Sequence, residues 1–493
     1  MRHERGYRTR NPRRVFGVMA LLLAMACLAA GPGTAVEPGP SVTEQPEPHT
    51  LRVDYYHSGG LGDEIWSLDR VVLEPLPWPG NPTRPLDTTR LGKYRFRVFD
   101  AASGRELYSR GFASIYGEWE TTAEAKAMHR TFHESLRFPE PEAPVDIVVE
   151  KRAADQSFAQ AWRLQIDPAA STVDQSAVPK LDAIPIHLAG DPAHKLDVLF
   201  LGDGYTKAEC RRFEERARHF AQVLFAHEPY TSRKSDINVW GLCPPAAESG
   251  VSRPSTGVYR RSPVGSTYDA FGSERYVLTF ENRAFRDLAA WAPYDVVEIL
   301  INGEVYGGGG IFGQFSTLAA ENSHADYLFI HELGHHLAAL ADEYYTSDVA
   351  YLPDPDRPEP WERNATVLRD PAKLKWRHLV DPETPIPTPW PKETYETMAQ
   401  EIRERRSAIR AENRPEAEMS ALFAEQSRRE TDLIGKPGIV GAFEGANYQA
   451  QGYYRPEVDC LMFSRNDVPF CSVCQAGIEE ILDLYSEGAE DGP

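Results

Sequence analysis

The sequence predicts an α+β, α/β two-domain chain: an N-terminal β-sandwich followed by a domain with a mixed sheet built around one helix. Three observations predict it. The 493 residues exceed what one ordinary core accommodates. From Leu51 to about Asp167 short runs alternate polar and apolar residues between turn signals, the texture of a sandwich. After about residue 190, buried-strand patterns alternate with helical ones, which implies a layered α/β arrangement.

The N-terminus stands apart from both domains. Six arginines between Arg2 and Arg14 precede an apolar run from Val15 to Ala30, and Gly33-Thr34-Ala35 supplies small residues for cleavage. A run this short, followed by Gly and Pro, reads as a signal peptide over residues 1–35 and implies a secreted, periplasmic or cell-surface protein. Cys27 mimics a lipoprotein acceptor, but alanine replaces the aliphatic residue expected three places before it, which argues against lipid anchoring. Residues 36–50, rich in Pro, Glu and Gly, read as a linker. No later segment is apolar enough to span a bilayer.

The formal charge of −20 argues against nucleic acid as a partner, because phosphate binding needs a basic face. Beyond the signal segment, Cys210, Cys243, Cys460, Cys471 and Cys474 remain. Export favours disulfides, and an odd number leaves at least one thiol free unless it pairs between chains. Cys471-x-x-Cys474 with Cys460 is alternatively a metal site that needs a fourth ligand.

In the β-sandwich, expected over residues 51–170, Lys93–Phe99, Val145–Val149 and Trp162–Ile166 read as strands. No catalytic set converges there, which suggests a supporting or substrate-docking module. Ser171–Ile186 reads as a second linker. Lys195–Leu201 is a buried strand, and Thr206-Lys207-Ala208-Glu209 forms a capping box ahead of a helix ending near Phe225. Ile237–Trp240 and Asp295–Ile301 add strands, and Gly307–Gly310 leads into a last strand, Ile311–Leu318. Such a glycine run suits either close approach of a peptide backbone or a mobile loop.

The helix that follows carries His331-Glu332-Leu333-Gly334-His335, with Ser323 as the expected N-cap. Histidines at i and i+4 share a helix face, so His331 and His335 can reach one Zn2+ ion, and Glu332 lies where it can act as a general base on a zinc-bound water. The alternative is a buried helix whose histidines make hydrogen bonds only. Residues from about 346 to 436 read as a charged helical insert, its exposed helices broken at Pro415. The last segment holds Phe443-Glu444-Gly445-Ala446, Gly452-Tyr453-Tyr454, Cys460-Leu461-Met462 and Cys471-x-x-Cys474 before a closing helix at Gln475–Tyr485.

Together with Leu201-Gly202-Asp203-Gly204-Tyr205, Glu248-Ser249-Gly250 and His331–Tyr344, these blocks resemble the secreted zinc peptidases of family M64, named for an immunoglobulin A protease. The resemblance runs from about Leu196 to Leu484, and the preceding module resembles that family's N-terminal domain. It implies zinc-dependent endopeptidase chemistry on a metzincin-like zincin domain over residues 190–488, acting on a protein or peptide. It also implies Met462 as the counterpart of the methionine turn beneath the metal.

The third ligand requires a turn. Metzincins place it ten residues after the first histidine, where this chain has Ala341; Asp342 is one further on. Along a straight helix Asp342 would rise about 10 Å beyond His335, so the helix must end at Leu337 or Ala338 and turn back. The family usually has glycine at the position of Ala339, and an alanine held at positive φ costs on the order of 1 kcal/mol. Asp342 is the expected ligand, Glu343 the next choice and His336 the third. Tyr453 and Tyr454 are candidate donors to the developing oxyanion. Two other functions remain: a surface binding protein with a structural zinc, and a zinc hydrolase of a non-peptide substrate.

Overall fold

The computed structural model describes residues 47–176, 179–347, 349–352, 356–435 and 437–486. The segment read as a signal peptide, with Cys27, lies outside them, as does the linker up to residue 46. Among the described residues no helix is long and apolar enough to cross a membrane.

The N-terminal domain consists of β1 (His49–Gly60), β2 (Asp63–Pro77), β3 (Tyr94–Asp100), β4 (Glu106–Phe112), the short helix α1 (Ile115–Trp119), β5 (Arg130–Pro139), β6 (Val145–Arg152), β7 (Phe158–Ile166) and β8 (Val173–Asp174). One sheet runs β5-β1-β2-β8 and the other β4-β3-β6-β7. Alternation decides which side chains face inward: Tyr94, Phe96 and Val98 of β3 and Val145, Ile147 and Val149 of β6 are buried in a core shared with Leu51, Val53 and Tyr55 of β1. The stretch Ser171–Ile186 is not a plain linker. It supplies β8, parallel to β2, and then β9 (Ile184–His187), an edge of the next sheet.

That sheet comprises β9, β10 (Leu196–Asp203), β11 (Ile237–Leu242), β14 (Val296–Ile301), β15 (Gly308–Ile311) and β16 (Phe315–Ala319), in the order β15-β16-β14-β10-β11-β9. The four central strands are parallel and both edges antiparallel. β12 (Ser266–Thr267) and β13 (Leu278–Thr279) form a small separate ladder. β10 and β14 are buried at every position, as expected of parallel strands covered on both faces. The single last strand expected at Ile311–Leu318 is instead the hairpin β15–β16, turning at Gly313 with φ 70°.

Helix α2 (Cys210–Leu224) follows β10, but only half of the expected capping box forms: Thr206 N and Oγ1 both donate to Glu209 Oε2, while Glu209 N donates to the Thr206 carbonyl rather than to its hydroxyl, and Glu209 itself occupies the N-cap without a side-chain bond. A disulfide joins Cys210 at the head of α2 to Cys243 just after β11. Helix α3 (Asn282–Ala289) packs on β5 of the N-terminal domain. At this seam the fully buried Arg52 guanidinium bonds Asp54 (2.9 Å) and Glu74 (3.0 Å) from its own domain, and it also pairs with Asp287 of α3. Helix α4 (Ala325–Ala338) lies against β14, β15 and β16.

The charged segment forms α5 (Lys392–Ala411) and α6 (Glu416–Ile434), packed on each other with Pro415 at the start of α6. They are less exposed than the sequence suggests. Ile402, Ile409, Met419, Leu422 and Phe423 are buried, and the Phe423 ring meets Tyr306. Hairpin β17 (Phe443–Ala446) and β18 (Gln449–Arg455) and helix α7 (Ser472–Tyr485) complete the chain.

Candidate functional site

Helix α4 begins at Ala325, not behind a Ser323 cap: Ser323 Oγ contacts His324 and Ser420, and His324 occupies the N-cap without a side-chain bond. Its C-terminus decides the site. Ala339 adopts φ 54° and ψ 36°, the left-handed conformation, and the N–H groups of Ala339 and Leu340 return to the carbonyls of His335 and Gly334. The chain then doubles back along the helix, and Asp342 Oδ1 comes to 3.0 Å from His331 Nε2 and 3.2 Å from His335 Nε2.

The two Nε2 atoms are themselves 3.2 Å apart. Each ring's other nitrogen faces a carbonyl: His331 Nδ1 lies 3.2 Å from Leu461 O, and His335 Nδ1 lies 2.6 Å from Leu340 O. A bond to a carbonyl requires Nδ1 to donate, which turns the Nε2 lone pair inward toward a carboxylate oxygen; the Tyr327 hydroxyl also lies 3.1 Å from His331 Nδ1. Asp342 Oδ1 is buried and lacks a hydrogen bond. Three converging acceptors repel one another unless a proton or a metal cation sits among them. Burial acts against charge on both groups, yet the Asp342 carboxylate holds His335 up to about 9, and the His335 charge holds Asp342 well below the usual carboxylate range. The donor set therefore fits a metal ion, with two imidazoles and a carboxylate.

Glycines allow the neighbouring backbone to approach. A Cβ on Gly310 of β15 would lie 2.7 Å from Glu332 O and 2.9 Å from His335 Cβ. Beneath the histidines, a Cβ on Gly334 would lie 2.9 Å from Met462 Sδ, so the fully buried Met462 packs directly under α4.

The remaining candidates separate. Glu332 lines the cleft, and burial raises its pKa. His336 points elsewhere: Nδ1 donates to Ile311 O (3.0 Å), Nε2 accepts from Val297 N (3.1 Å), and burial pushes its pKa down to about 3, which keeps it neutral. Glu343 turns away from the histidines toward Cys460, Cys471 and Cys474. Tyr453 lines the cleft; its neighbour Tyr454 does not, and lies near Glu444 and Lys392.

Sequence reasoning missed Tyr448. Asn447 and Tyr448 form the two-residue turn between β17 and β18, with φ 50° and 60°, as a type I′ hairpin requires at both positions. The turn is bonded to the doubled-back chain through Asn447 N to Asp342 O and Tyr448 N to Tyr344 O. It delivers the Tyr448 hydroxyl to Asp342 Oδ2, the oxygen not facing the histidines. A positive φ at a tyrosine costs energy, which marks a position determined by its surroundings.

The cleft has a volume of about 780 Å³ and both domains wall it. Glu118 of α1 reaches in from the N-terminal domain, accepting from the hydroxyls of Tyr276 and Tyr351 (2.9 Å), with its pKa raised to about 7 by burial. The backbone of Gly308–Gly310 forms another wall.

Fold and site together define a two-domain protein with a His-Glu-x-x-His helix at the floor of a deep cleft. Residues 184–482 match the family described as IgA Peptidase M64, and residues 43–163 match Peptidase M64 N-terminus. The chain belongs to the IgA peptidase M64 family, and it is a peptidase with a protein substrate. No curated protein matches it.

Proposed function

We propose that this chain is a secreted zinc-dependent endopeptidase in which His331, His335 and Asp342 hold the metal and Glu332 is the general base. One observation carries the reading: two histidine Nε2 atoms and one carboxylate oxygen converge, with each Nδ1 within hydrogen-bonding distance of a backbone carbonyl. The group has three protein donors among the described residues, which favours a catalytic ion with an open position over a structural one. Zinc bound there would act as a Lewis acid, polarising the scissile carbonyl and acidifying a water.

The protein's own residues supply the remaining steps. At Gly308 the outer edge of β15 is already paired with Arg275 and Val277, which leaves the Gly310 end of this side-chain-free backbone to align an extended peptide in the cleft. A Glu332 carboxylate oxygen accepts the proton of the attacking water and delivers it to the leaving amine nitrogen, a transfer favoured by the raised affinity for protons that burial gives this group. Tyr453, facing the cleft, is the candidate donor to the oxyanion. Export is consistent with the Cys210–Cys243 disulfide.

Glu332→Gln tests the assignment. The variant should bind zinc with wild-type stoichiometry and lose about 10²- to 10⁴-fold in hydrolysis of a casein substrate. Retained hydrolysis would remove Glu332 from the mechanism, and loss of zinc from the variant would mean that it is a ligand.

A further inference from the structure

A second cluster of donors lies behind the first. Glu343, the residue after Asp342, meets Cys460, Cys471 and Cys474, all four fully or nearly fully buried, with their ligand atoms within 4.8 Å of one another. The cysteines are not paired: Cys460 Sγ and Cys474 Sγ are 3.9 Å apart. Glu343 Oε1 lies 3.3 Å from Cys474 Sγ and 3.9 Å from Cys471 Sγ. A tetrahedral zinc with sulfur at about 2.3 Å and oxygen at about 2.0–2.2 Å has ligand-to-ligand edges of about 3.5–3.8 Å. The observed separations bracket that range, whereas a disulfide would need sulfurs about 2.05 Å apart.

Two further observations point to a ligand. Glu343 is 0% exposed, and its Oε2 has no hydrogen-bond partner, a costly state for a buried carboxylate. The backbone also treats two of the sulfurs as acceptors: Cys460 Sγ receives Cys471 N (3.2 Å) and Met462 N (3.5 Å), and Cys471 Sγ receives Cys474 N (3.5 Å) at the start of α7. Asn364 Nδ2 orients the carboxylate through Glu343 Oε1 (3.0 Å) while also bonding Ala341 O. The buried Arg455 guanidinium is near enough for its charge to act on Glu343, which offsets part of the negative charge of such a ligand set.

We propose that Glu343, Cys460, Cys471 and Cys474 form a closed structural zinc site, distinct from the His331 centre. It joins three chain segments: the irregular stretch carrying Asp342, the turn carrying Met462 and the head of α7. Glu343 N already donates to Met462 O (2.9 Å), so a metal here would clamp together the two segments that lie against the histidines.

The test uses the full chain with His331→Ala/His335→Ala, which empties the histidine site. This variant should retain one zinc per chain, with an X-ray absorption sulfur shell at about 2.3 Å. Its three free cysteines should resist alkylation until the protein is unfolded with a chelator. A variant without zinc overturns the proposal, as does a peptide map showing a disulfide among Cys460, Cys471 and Cys474. Should the double variant fail to fold, the wild-type chain decides. Two zinc ions with a mixed sulfur and nitrogen shell support the site, and one zinc with only nitrogen and oxygen neighbours refutes it. Neither result depends on peptidase activity or on the role of Glu332.

Discussion

Tyr448→Phe isolates the hairpin's contribution to the candidate metal centre. The Tyr448 hydroxyl donates to Asp342 Oδ2, while Asp342 Oδ1 faces His331 and His335. Removing one oxygen atom leaves the half-buried ring in place but strips a carboxylate oxygen of its donor. A hydrogen bond to a charged group contributes about 1.5–3 kcal/mol. At about 1.4 kcal/mol per factor of ten, that corresponds to about 10- to 100-fold in metal affinity. Competition between the protein and a zinc-binding fluorophore measures the change directly and without substrate. Tyr351→Phe is the control, because Tyr351 packs on Tyr448 at 5.7 Å between ring centres but bonds Glu118. An affinity change of less than about twofold in Tyr448→Phe, within the ±0.5 kcal/mol expected of an unrelated substitution, would refute the argument. If activity fell while affinity held, the hydroxyl would act on substrate instead.

Three other outcomes follow from the same geometry. Ala339→Gly should stabilise the chain by about 0.5–1 kcal/mol in denaturant unfolding, since relief at φ 54° outweighs the added freedom of the unfolded glycine; a destabilised variant would contradict this. Gly310→Ala should cost about 1–3 kcal/mol and reduce peptidase activity, because the new Cβ meets the backbone of α4; a fully active, equally stable variant would show that β15 can shift freely. The last concerns pH. His57 is buried between Glu64 (2.8 Å) and Glu134 (3.0 Å), and Tyr55 and Tyr94 donate to the same carboxylates. Burial lowers its pKa, but the carboxylates outweigh burial and raise it above 6.5. A raised folded pKa gives stability that is complete below the unfolded value and lost as pH rises through the folded one. Glu64 behaves oppositely. Burial raises it, but the bonds from His57 and Lys151 prevail and hold it at about 2, so its contribution is present above about 4.5 and lost as pH falls. The stability advantage of wild type over His57→Gln, measured by urea midpoints, should therefore shrink from pH 6 to 9; an advantage independent of pH would refute the charge on His57.

The legible part of this protein was the part written in local spacing. His331, Glu332 and His335 are fixed relative to one another by one turn of helix, and the need for a reversal near Ala339 followed from the rise of a helix once the family resemblance implied a third ligand at about Asp342. Strand positions in the N-terminal domain were legible through alternation, although β8 and β9 were hidden in a stretch whose prolines and polar residues resembled a linker. Tyr448 was invisible for a different reason. Its role depends on a two-residue turn with positive φ at both positions, and the usual Asn-Gly signal for such a turn is replaced by Asn-Tyr. Glu118 was equally hidden, because a carboxylate on a short helix becomes a cleft residue only when two domains pack. The burial of α5 and α6 went unseen because the apolar stripe of Ile402, Ile409, Met419, Leu422 and Phe423 is sparse amid dense mixed charge, and only the packing of the two helices on each other and on the core buries it.

The sequence left Asp342 and Glu343 as rivals for a single ligand position, and their geometry removes the rivalry. Past the left-handed turn at Ala339 the chain is no longer helical, and adjacent side chains turn to different sides, Asp342 toward the histidines and Glu343 toward the cysteines. Three nearby features act on this pair. Ala339 reverses the chain, the Asn447–Tyr448 turn bonds Asp342, and Asn364 braces Ala341 and Glu343. If Asp342 is the third metal donor, as proposed, its short non-helical segment must be rigid, since ligands must be held within about 0.5 Å of the productive geometry. The buried Glu343 cluster meets that need from behind, at the one residue whose displacement would move Asp342 most directly.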